Sequence, residues 1–312
     1  MQNKENILLL GGTGFIGKNI VEYFINNIAS INYQLIVLSR NSERYYNENV
    51  VYEIGDYGDR VILNTLFAKW KFTKVFHLAS SSVPISSNKN IENDIKGNLL
   101  STIGLLDIMR DHNCPFILYL SSGGAVYGEK NHLIQEDESC TPISSYGIVK
   151  LTIENYLKLY QIHYGINYLI LRISNPFGAF HKSEKQGVIN IAIRKAISGE
   201  SLEIWGDGNQ SKDYIFIDDL VAILMKLIDS GVQNKIINLG AGRAYKLNTI
   251  LKQIQERIPG FSIKYIESKS TDIKDFCLDI SLLQSIIDFE FTDFNTAIDK
   301  TVAWEKNNIT KA

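Results

Sequence analysis

A short apolar run closed by glycines stands near the start of the chain and limits its possible folds more than any other feature. Residues Ile7–Leu10 are continuously apolar and are followed by the sequence G-G-T-G-F-I-G. A continuous apolar run is typical of a strand buried on both faces of a parallel sheet. Apolar residues then recur at helical spacing, and a second apolar run follows at Leu35–Leu38. The pattern predicts a strand, a helix and a strand within about 30 residues.

The spacing of Gly11, Gly14 and Gly17 within this turn indicates a dinucleotide-binding site. Gly11 permits a tight turn, Gly14 lets the backbone approach a pyrophosphate, and Gly17 lets the helix pack closely on the strand. The pyrophosphate would then lie at the helix N-terminus, where backbone N–H groups are unpaired. We therefore predict cofactor contacts from Gly11, Thr13, Gly14, Phe15, Ile16 and Gly17.

The end of the second predicted strand bears on which dinucleotide is bound. An acidic residue is expected there, about 20 residues after the glycines, to hold the ribose 2′-hydroxyl. Ser39 and Arg40 stand at this point instead. A guanidinium suits a 2′-phosphate, so these two residues favour NADP(H) over NAD(H). The alternative is that Arg40 is a solvated loop residue, and Asp56 is expected to hydrogen-bond the adenine edge.

Strand and helix patterns alternate further along the chain. Predicted strands cover 74–78, 116–120, 168–173 and 236–239, and predicted helices cover 98–109, 146–160 and 218–229. This alternation predicts a doubly wound parallel α/β sheet. After Asn175-Pro176 the elements become shorter and are punctuated by glycines, which indicates a smaller α/β substrate-binding domain. The predicted dinucleotide-binding domain is 1–174 with 213–240 returning to it, and the substrate domain is 175–212 with 241–312.

The composition excludes several other classes of protein. The chain has 312 residues, of which 45% are hydrophobic and 21% charged, values that argue against a disordered or disulfide-scaffolded chain. Its net charge of −2 does not favour nucleic acid or an anionic membrane as a partner. No stretch approaches the roughly 18 apolar residues of a membrane span, and the N-terminus lacks the core of a signal peptide. Three scattered cysteines show no metal-ligand spacing, so we expect a soluble cytoplasmic protein without a metal site.

Tyr146 and Lys150 are candidates for acid/base chemistry. Residues four apart lie on one face of a helix. A tyrosine normally ionises near pH 10, which is too high for proton exchange at neutral pH. An ammonium group about 4 Å away, at an effective dielectric near 20, is worth roughly 4 kcal/mol, or about three pKa units. We therefore expect Lys150 to lower the pKa of Tyr146 and make it a working acid/base.

Further motifs accompany the glycine turn and the Y-G-I-V-K sequence of Tyr146 to Lys150. They are H-L-A at 77–79, S-S-G-G-A-V-Y-G at 121–128, L-R-I-S-N-P-F-G at 171–178, W-G-D-G-N-Q-S-K-D-Y-I at 205–215 and N-L-G-A-G at 238–242. Over almost the whole chain these motifs resemble those of the extended short-chain dehydrogenases/reductases, in the nucleotide-sugar epimerase/dehydratase group. The resemblance implies a Rossmann fold and redox chemistry on a nucleotide-linked sugar.

The resemblance also implies roles for individual residues near the cofactor. Tyr146 is similar to the family's proton donor or acceptor, and Lys150 to the lysine that holds the nicotinamide ribose. Asn98 resembles the residue that orders this lysine and a water molecule, and Ala79 lies in the motif that adjoins the cofactor. His77 is expected to be structural.

For the substrate, the resemblance implies a second set of contacts. Asn175 is similar to the amide that contacts the sugar-nucleotide phosphates, and Val188 lies in the segment whose backbone reads a pyrimidine base. Lys212 and Lys269 stand where the family usually has arginines that bind the diphosphate. Lysine keeps the positive charge but cannot form the two parallel hydrogen bonds of a guanidinium. Arg243 is a candidate to compensate. Asp213 is expected to be structural.

One position departs from the family's pattern. The Ser or Thr whose hydroxyl touches the reacting sugar oxygen in many members is Gly123 here. Ser122 or Ser145 could supply the missing hydrogen bond, or the enzyme works with Tyr146 alone; we take Ser122 as the candidate. Because no acidic residue stands between Gly123 and Val126, a 4,6-dehydratase is disfavoured.

Two reactions at C4 of the sugar therefore stay open. We favour an NADPH-dependent reduction of a dTDP- or UDP-linked 4-keto-6-deoxyhexose for lipopolysaccharide O-antigen synthesis, because cells hold NADPH for net reduction. The alternative is a UDP-glucose or UDP-N-acetylglucosamine 4-epimerase with bound NAD. A non-catalytic cofactor sensor on the same fold is a rival, although Tyr146 and Lys150 argue against it. The resemblance also implies a homodimer formed through the helix that carries these two residues.

Overall fold

Strands of one sheet are interspersed with helices in the first part of the molecule. We analysed a computed structural model that describes residues 5–27, 32–40, 50–82, 84–130, 132–267 and 275–309. Its elements up to residue 173 are β1 (Glu5–Leu10), α1 (Phe15–Asn26), β2 (Tyr33–Ser39), β3 (Val50–Ile54), α2 (Arg60–Trp70), β4 (Lys74–His77), α3 (Pro84–Ser87), α4 (Ile91–Asp94), a π-helix (Ile95–Leu100), α5 (Ser101–Asp111), β5 (Phe116–Ser122), α6 (Gly123–Val126), α7 (Ser145–Tyr164) and β6 (Asn167–Ile173).

The elements of the remaining chain are shorter and more mixed. They are β7 (Asn175–Phe177), α8 (Val188–Ile197), β8 (Leu202–Trp205), β9 (Ser211–Phe216), α9 (Ile217–Asp229), β10 (Lys235–Leu239), β11 (Ala244–Lys246), α10 (Leu247–Arg257), β12 (Ile263–Ile266), β13 (Asp275–Phe276), α11 (Ser281–Ile286) and α12 (Phe294–Ile309).

A seven-stranded sheet with the order β10-β6-β5-β4-β1-β2-β3 forms the centre of the first part. β1 pairs in parallel with β2 and β4, and parallel pairs also join β2 to β3 and β4 to β5. This is the doubly wound order, and the direction of winding reverses between β1 and β4. The predicted α/β fold class is therefore confirmed. Ligands of such sheets bind at the carboxyl ends of the strands near this reversal.

Burial explains why the first two strands could be read from the sequence. Residues Ile7–Leu10 of β1 are at most 1% exposed, and Leu35–Val37 of β2 are fully buried. Both strands have neighbours on either side in the sheet, and because consecutive residues point to opposite faces, their burial shows that both faces are covered. β3 lies at the sheet edge, its residues are mostly half-buried, and it was not predicted.

The two sheets of the later chain are smaller. β9 pairs with β7, β11 and β13, and β8 pairs in parallel with β12. β9 is largely buried along its length, from Asp213 at 0% exposure to Phe216 at 5%. Asn175 and Lys212, which the resemblance assigns to the substrate, lie in this sheet, and Arg243 directly precedes β11.

The chain divides into two compact units. The first contains 1–127, 140–172 and 231–237, and the second contains 128–139, 173–230 and 238–312. These bounds differ from the predicted ones, since 128–139 and 213–230 belong to the second unit. Within the described residues, no helix is both long enough and apolar enough to cross a membrane.

Candidate active site

The glycine turn between β1 and α1 is tight and has no room for side chains. Gly11 has a φ of +86°, and its carbonyl oxygen accepts a hydrogen bond of 3.0 Å from the backbone N–H of Gly14. A Cβ atom on Gly17 would collide with the carbonyl oxygen of Gly11. A Cβ on Gly11 would lie 2.8 Å from the backbone nitrogen of Ala79. The turn therefore needs these glycines, and the helix N-terminus that follows at Phe15 suits a pyrophosphate.

The ends of β2 and β3 bring three predicted cofactor residues close together. Ser39 is buried, and its hydroxyl donates a long hydrogen bond of 3.4 Å to the hydroxyl of Thr13. Arg40 is exposed, and its guanidinium lies 3.9 Å from the carboxylate of Asp56. The other carboxylate oxygen of Asp56 accepts a hydrogen bond of 2.8 Å from the backbone N–H of Gly58. An acidic group therefore stands beside Arg40, although it comes from the loop after β3 rather than from the end of β2.

Helix α7 positions Tyr146 and Lys150 at the carboxyl end of β5. The helix begins at Ser145. Ser144 is its N-cap, and the Ser144 hydroxyl accepts a hydrogen bond from the N–H of Gly147. Lys150 is 6% exposed, and its ammonium donates a 2.7 Å hydrogen bond to the carbonyl oxygen of Leu120. The same ammonium lies 5.6 Å from the ring centroid of Tyr146. The predicted pair thus shares one face of the helix.

The expected effect of Lys150 on Tyr146 is wrong for this structure. Burial, followed by the negative charge of Asp94, raises the pKa of Tyr146 to about 12. Burial also lowers the pKa of Lys150 to about 8, against the opposing charges of Glu154 and Asp94. The pKa expected from the sequence took account of the ammonium alone. It omitted the free-energy cost of moving a phenolate out of water. The structure therefore holds Tyr146 as a phenol at neutral pH.

Asp94 organises the surroundings of the pair and was missed by the sequence analysis. Its carboxylate accepts hydrogen bonds from the hydroxyls of Ser82 and Ser145, both at 2.6 Å, and from the amide of Asn98 at 2.7 Å. Asn98 in turn accepts a hydrogen bond of 2.8 Å from the N–H of Ser81. Asn98 lies in the π-helix, a deformation that is frequent at functional sites. The four-residue spacing from Asp94 to Asn98 is a signal that could have revealed this contact.

The hydrogen bonds of the serines near the end of β5 distinguish between the two candidate hydroxyls, Ser122 and Ser145. The hydroxyl of Ser121 donates to Glu154 at 2.5 Å, and that of Ser145 donates to Asp94. Among the described residues, the half-buried Ser122 has no hydrogen-bond partner for its hydroxyl. A Cβ atom on Gly124 would meet no other atom within 4 Å. The strand end therefore offers one uncommitted hydroxyl beside open space.

A buried ion pair fixes α7 to the central sheet. Arg172 on β6 donates to Glu154 on α7 with an N–O distance of 2.6 Å, and both side chains are at most 4% exposed. The Arg172 guanidinium also stacks 4.7 Å from the ring centroid of Tyr127. Glu154 is two helical turns beyond Tyr146, so this pair sets the position of the helix without reaching the phenol. Sequence analysis did not identify it: Arg172 lies in the motif at 171–178, but nothing in the sequence shows that Glu154 is its partner.

Three residues predicted to hold the substrate share one face of the sheet in the second unit. Paired residues of neighbouring strands lie on the same face, and Asn175 pairs with Tyr214 on β9. Lys212 on β9 pairs with Tyr245, so Arg243, two residues before Tyr245, points to that face as well. The amide of Asn175 donates a 2.8 Å hydrogen bond to the carbonyl oxygen of Asp213.

A cavity of about 290 Å³ opens on this face of the second unit. Its walls are mostly aromatic, with Arg243 as its cationic residue, and they include Phe177, Tyr214, Phe216, Tyr245 and Phe294. Val188 is the first residue of α8, directly after Gly187 with a φ of +81°. Lys269 lies outside the described residues. Among the described residues, no group of three His, Cys, Asp or Glu side chains could hold a metal ion.

Comparison with known proteins agrees with the class of protein that the sheet order, the glycine turn and the Tyr146–Lys150 pair define. Residues 7–240 match the sequence model of the NAD dependent epimerase/dehydratase family. The chain belongs to this family, whose cofactor is a nicotinamide dinucleotide.

Relatives in the family carry out several reactions. A candidate UDP-glucose 4-epimerase of Methanocaldococcus jannaschii is 34% identical over 97% of this chain and 99% of its own. A dTDP-4-dehydro-6-deoxyglucose reductase of Escherichia coli is 29% identical over 82% of both chains. The crystal structure of UDP-glucose 4-epimerase from Thermotoga maritima with UDP-glucose superposes with a TM-score of 0.90 at 27% identity, covering 97% of this chain and 99% of that chain. The resemblance to nucleotide-sugar epimerases and reductases is thus confirmed.

Proposed function

We propose that this protein is a nucleotide-hexose 4-epimerase that keeps NAD bound. The observation that carries the proposal is the end of β5, where Ser122 has an uncommitted hydroxyl and Gly124, two residues later, borders open space. An epimerase must let a 4-keto sugar turn over so that a hydride can return to its other face. Space beside the reacting carbon suits that motion. The full-length likeness to two 4-epimerases supports the same choice.

The proposed roles follow from the surroundings of each group. Tyr146 takes the proton of the sugar 4-hydroxyl during oxidation and returns it to the 4-alkoxide during reduction. Ser122 hydrogen-bonds the same sugar oxygen. Lys150, held by the carbonyl of Leu120, binds the nicotinamide ribose. Asn98 and Asp94 keep these groups in position.

Residues of the first unit fit a dinucleotide, because the tight turn at Gly11 and Gly17 places the N-terminus of α1 at the carboxyl end of β1, where backbone N–H groups suit a pyrophosphate. We assign the pyrophosphate to the backbone of Gly11, Thr13, Gly14, Phe15, Ile16 and Gly17, and further cofactor contacts to Ser39, Asp56 and Ala79. When bound, the oxidised nicotinamide supplies a hydride acceptor and a positive charge, which favours ionisation of a phenol. Because an epimerase would return to C4 the hydride that it removes, no cofactor would be consumed.

The pair of Arg40 and Asp56 favours NAD in this proposal. A 2′-phosphate placed on Arg40 would lie beside a carboxylate 3.9 Å from the guanidinium, and like charges repel. A ribose hydroxyl carries no such penalty.

We assign the nucleotide part of the substrate to the second unit. Lys212 and Arg243 supply positive charge on the face that also carries Asn175, which suits a diphosphate. Val188 begins the helix assigned to the pyrimidine base. In this proposal the second unit is the substrate domain and the first unit the cofactor domain, with the bounds found for the two units.

A second candidate function is NADPH-dependent reduction of a nucleotide-linked 4-keto-6-deoxyhexose. One observation favours it: the Arg40 side chain is 74% exposed, so it can turn from Asp56 towards a 2′-phosphate. The same Tyr146 and Lys150 would protonate the alkoxide.

The test combines the bound cofactor with turnover. The protein is purified without added nucleotide and denatured, and the released cofactor is identified by mass spectrometry. The native protein is then incubated with UDP-galactose and, separately, with UDP-N-acetylgalactosamine, again without added cofactor. Bound NAD(H) and conversion of either sugar to its C4 epimer are expected. Oxidation of NADPH by a dTDP- or UDP-linked 4-keto-6-deoxyhexose, with no epimerisation, would establish the reductase instead.

A further inference from the structure

The loop 178–187 of the second unit joins two segments that the proposed function assigns to the substrate. It begins directly after β7, which carries Asn175, and it ends directly before Val188, the first residue of α8. The structure describes all residues of this loop, and none of them lies in a helix or strand. Its backbone therefore needs partners outside regular structure to hold one conformation. That conformation bears on the spacing between Asn175 and Val188.

Two polar side chains of α8, one helical turn apart, bind the backbone of this loop. The amide of Asn190 accepts a hydrogen bond of 3.0 Å from the N–H of Gly178 and donates one of 2.9 Å to the carbonyl oxygen of the same residue. The guanidinium of Arg194 donates to the carbonyl oxygens of His181 and Ser183, both at 2.6 Å. The helix thus holds the loop that precedes it at three of its residues.

Glu305 of α12 connects these two side chains. One oxygen of its carboxylate accepts a hydrogen bond of 2.8 Å from the amide of Asn190 and one of 2.9 Å from the guanidinium of Arg194. Asn190 is 0% exposed, and the side chain of Glu305 is 3% exposed. A buried polar network whose members are hydrogen-bonded to one another holds a single geometry. We call Asn190, Arg194 and Glu305 the loop clamp.

The loop adopts a conformation that needs such support. Phe180 has a φ of +65°, in a region that residues other than glycine rarely adopt. Its ring packs against Trp304, the residue before Glu305 on α12, with 5.3 Å between the ring centroids. The loop then folds back on its own end, since a Cβ atom on Gly187 would lie 2.3 Å from Nε2 of His181. A strained conformation of this kind persists only where the surrounding structure holds it.

We propose that the three residues of the loop clamp are positioning residues for the nucleotide part of the substrate. They hold the loop so that Asn175 and Val188 keep the spacing that one nucleotide requires. Asn190 and Glu305 are buried, so they act through the loop rather than by contact with the substrate. This inference rests on the proposed function, because that function assigns the nucleotide to the two ends of the loop.

Two variants separate positioning from stability. Arg194→Ala removes the bonds to the loop and leaves the buried Glu305 without its cation, which destabilises the fold. The double variant Arg194→Met with Glu305→Leu removes both charges, a replacement that is often neutral for stability. Both variants are expected to raise KM for the nucleotide sugar and Kd for the free nucleotide about tenfold. We expect kcat to stay within about twofold of the wild type, because only uniform binding is lost.

Arg257→Ala is the matched control. Arg257 on α10 also binds a carboxylate of α12, that of Asp299, and its side chain is 18% exposed against 17% for Arg194. It also donates to two backbone carbonyls, those of Gln253 and Asn295, and all of these partners lie outside the loop. Wild-type Kd and KM in the double variant, or an equal rise in Arg257→Ala, would overturn the role of the loop clamp.

Two measurements that need no turnover distinguish this inference from the proposed function. UDP and, separately, dTDP are titrated into the holoenzyme by calorimetry, and the nucleotide that binds more tightly is used for every variant. Hydrogen exchange, followed by mass spectrometry, is expected to be faster at 178–187 in the double variant and unchanged there in Arg257→Ala.

The outcomes of these measurements are distinct. Weaker nucleotide binding and faster loop exchange in the double variant of a protein that does not epimerise would refute the proposed reaction alone. Wild-type binding and loop exchange in the double variant of an active epimerase would refute the loop clamp alone. If the wild-type protein binds neither UDP nor dTDP, the assignment of this loop to a nucleotide is wrong, and the inference is overturned.

Discussion

The two ends of the proposed cofactor site are built in different ways. At the carboxyl end of β5, Lys150 is 6% exposed and Asp94 2%, and the polar groups around them are linked by short hydrogen bonds. At the ends of β2 and β3, the side chain of Arg40 is 74% exposed and that of Asp56 49%, with 3.9 Å between their charged groups. Buried, connected groups hold one geometry, whereas exposed ion pairs contribute little and rearrange easily. We infer that the chemistry is fixed by the interior while cofactor preference depends on the surface.

The largest expected effect is at the buried end. Tyr146→Phe removes the group that exchanges the sugar proton, so kcat is expected to fall by about 10²- to 10⁴-fold. Tyr146 is also predicted to contact the cofactor, but cofactor content should stay unchanged because Phe keeps the ring and the other predicted contacts remain. The measurement is steady-state turnover together with the nucleotide released on denaturation. Tyr164→Phe, at the exposed end of the same helix, is the control and should retain full activity.

The glycine turn is assigned to the cofactor pyrophosphate, between the two ends of the proposed cofactor site. Its disruption is expected to have the next largest effect, on cofactor binding and stability. Gly17→Ala places a Cβ against the carbonyl of Gly11, so the turn must open and the free energy of unfolding should fall by about 1–3 kcal/mol. Bound cofactor should be lost on purification. Gly104→Ala in α5 is the control, since its Cβ would meet only the flexible end of Arg60. Equal loss of cofactor in both variants would refute the role of this turn.

Asp94→Asn tests whether the buried network tunes the acid/base pair. The charge of Asp94 raises the pKa values of both Tyr146 and Lys150, so its removal should lower both. Because Lys150 then loses its proton at lower pH, the alkaline limb of the kcat profile should move down. Turnover at neutral pH should fall about tenfold as one hydrogen bond is weakened. Asp111→Asn, on the surface of α5, is the control and should leave the pH profile of kcat unchanged. If Asp94→Asn also leaves this profile unchanged, the buried network does not tune the acid/base pair.

The smallest effect is expected at the exposed end. Arg40→Ala should alter the ratio of the dissociation constants for NADP(H) and NAD(H) by a few-fold, through weaker NADP(H) binding, and should leave kcat with bound NAD unchanged. Titration of the cofactor-free protein with each nucleotide measures this ratio. Arg60→Ala is a control with another exposed arginine paired to a carboxylate. A loss of more than about 100-fold in NAD(H) affinity would show that the surface pair is needed for binding itself.

Sequence analysis predicted the buried strands of the molecule better than the half-buried edge strand, for a physical reason. Buried strands such as Ile7–Leu10 and the glycine turn are visible because burial and tight packing restrict which residues are allowed. The edge strand Val50–Ile54 was missed, since half-buried positions admit many residue types. Asp94 and Glu154 were also missed, because their importance comes from contacts with residues distant in the chain, such as Arg172.

The expected ionisation of Tyr146 was wrong for a related reason. The four-residue spacing correctly predicted that Lys150 lies on the same helix face as Tyr146. It gave no information on burial, which raises the pKa of Tyr146 to about 12. The homodimer and the place in O-antigen synthesis stay predictions, and the preference for NADP stays the prediction of the second candidate function.

The central claim is that a hydride leaves C4 of the sugar and returns to the same carbon while NAD stays bound. UDP-galactose and UDP-N-acetylgalactosamine deuterated at C4 test it directly, with the purified protein, no added cofactor and the product analysed by NMR. We predict interconversion of the C4 epimers of at least one sugar with the deuterium retained at C4. Interconversion with deuterium replaced by solvent hydrogen, or no interconversion of either sugar, would contradict the account.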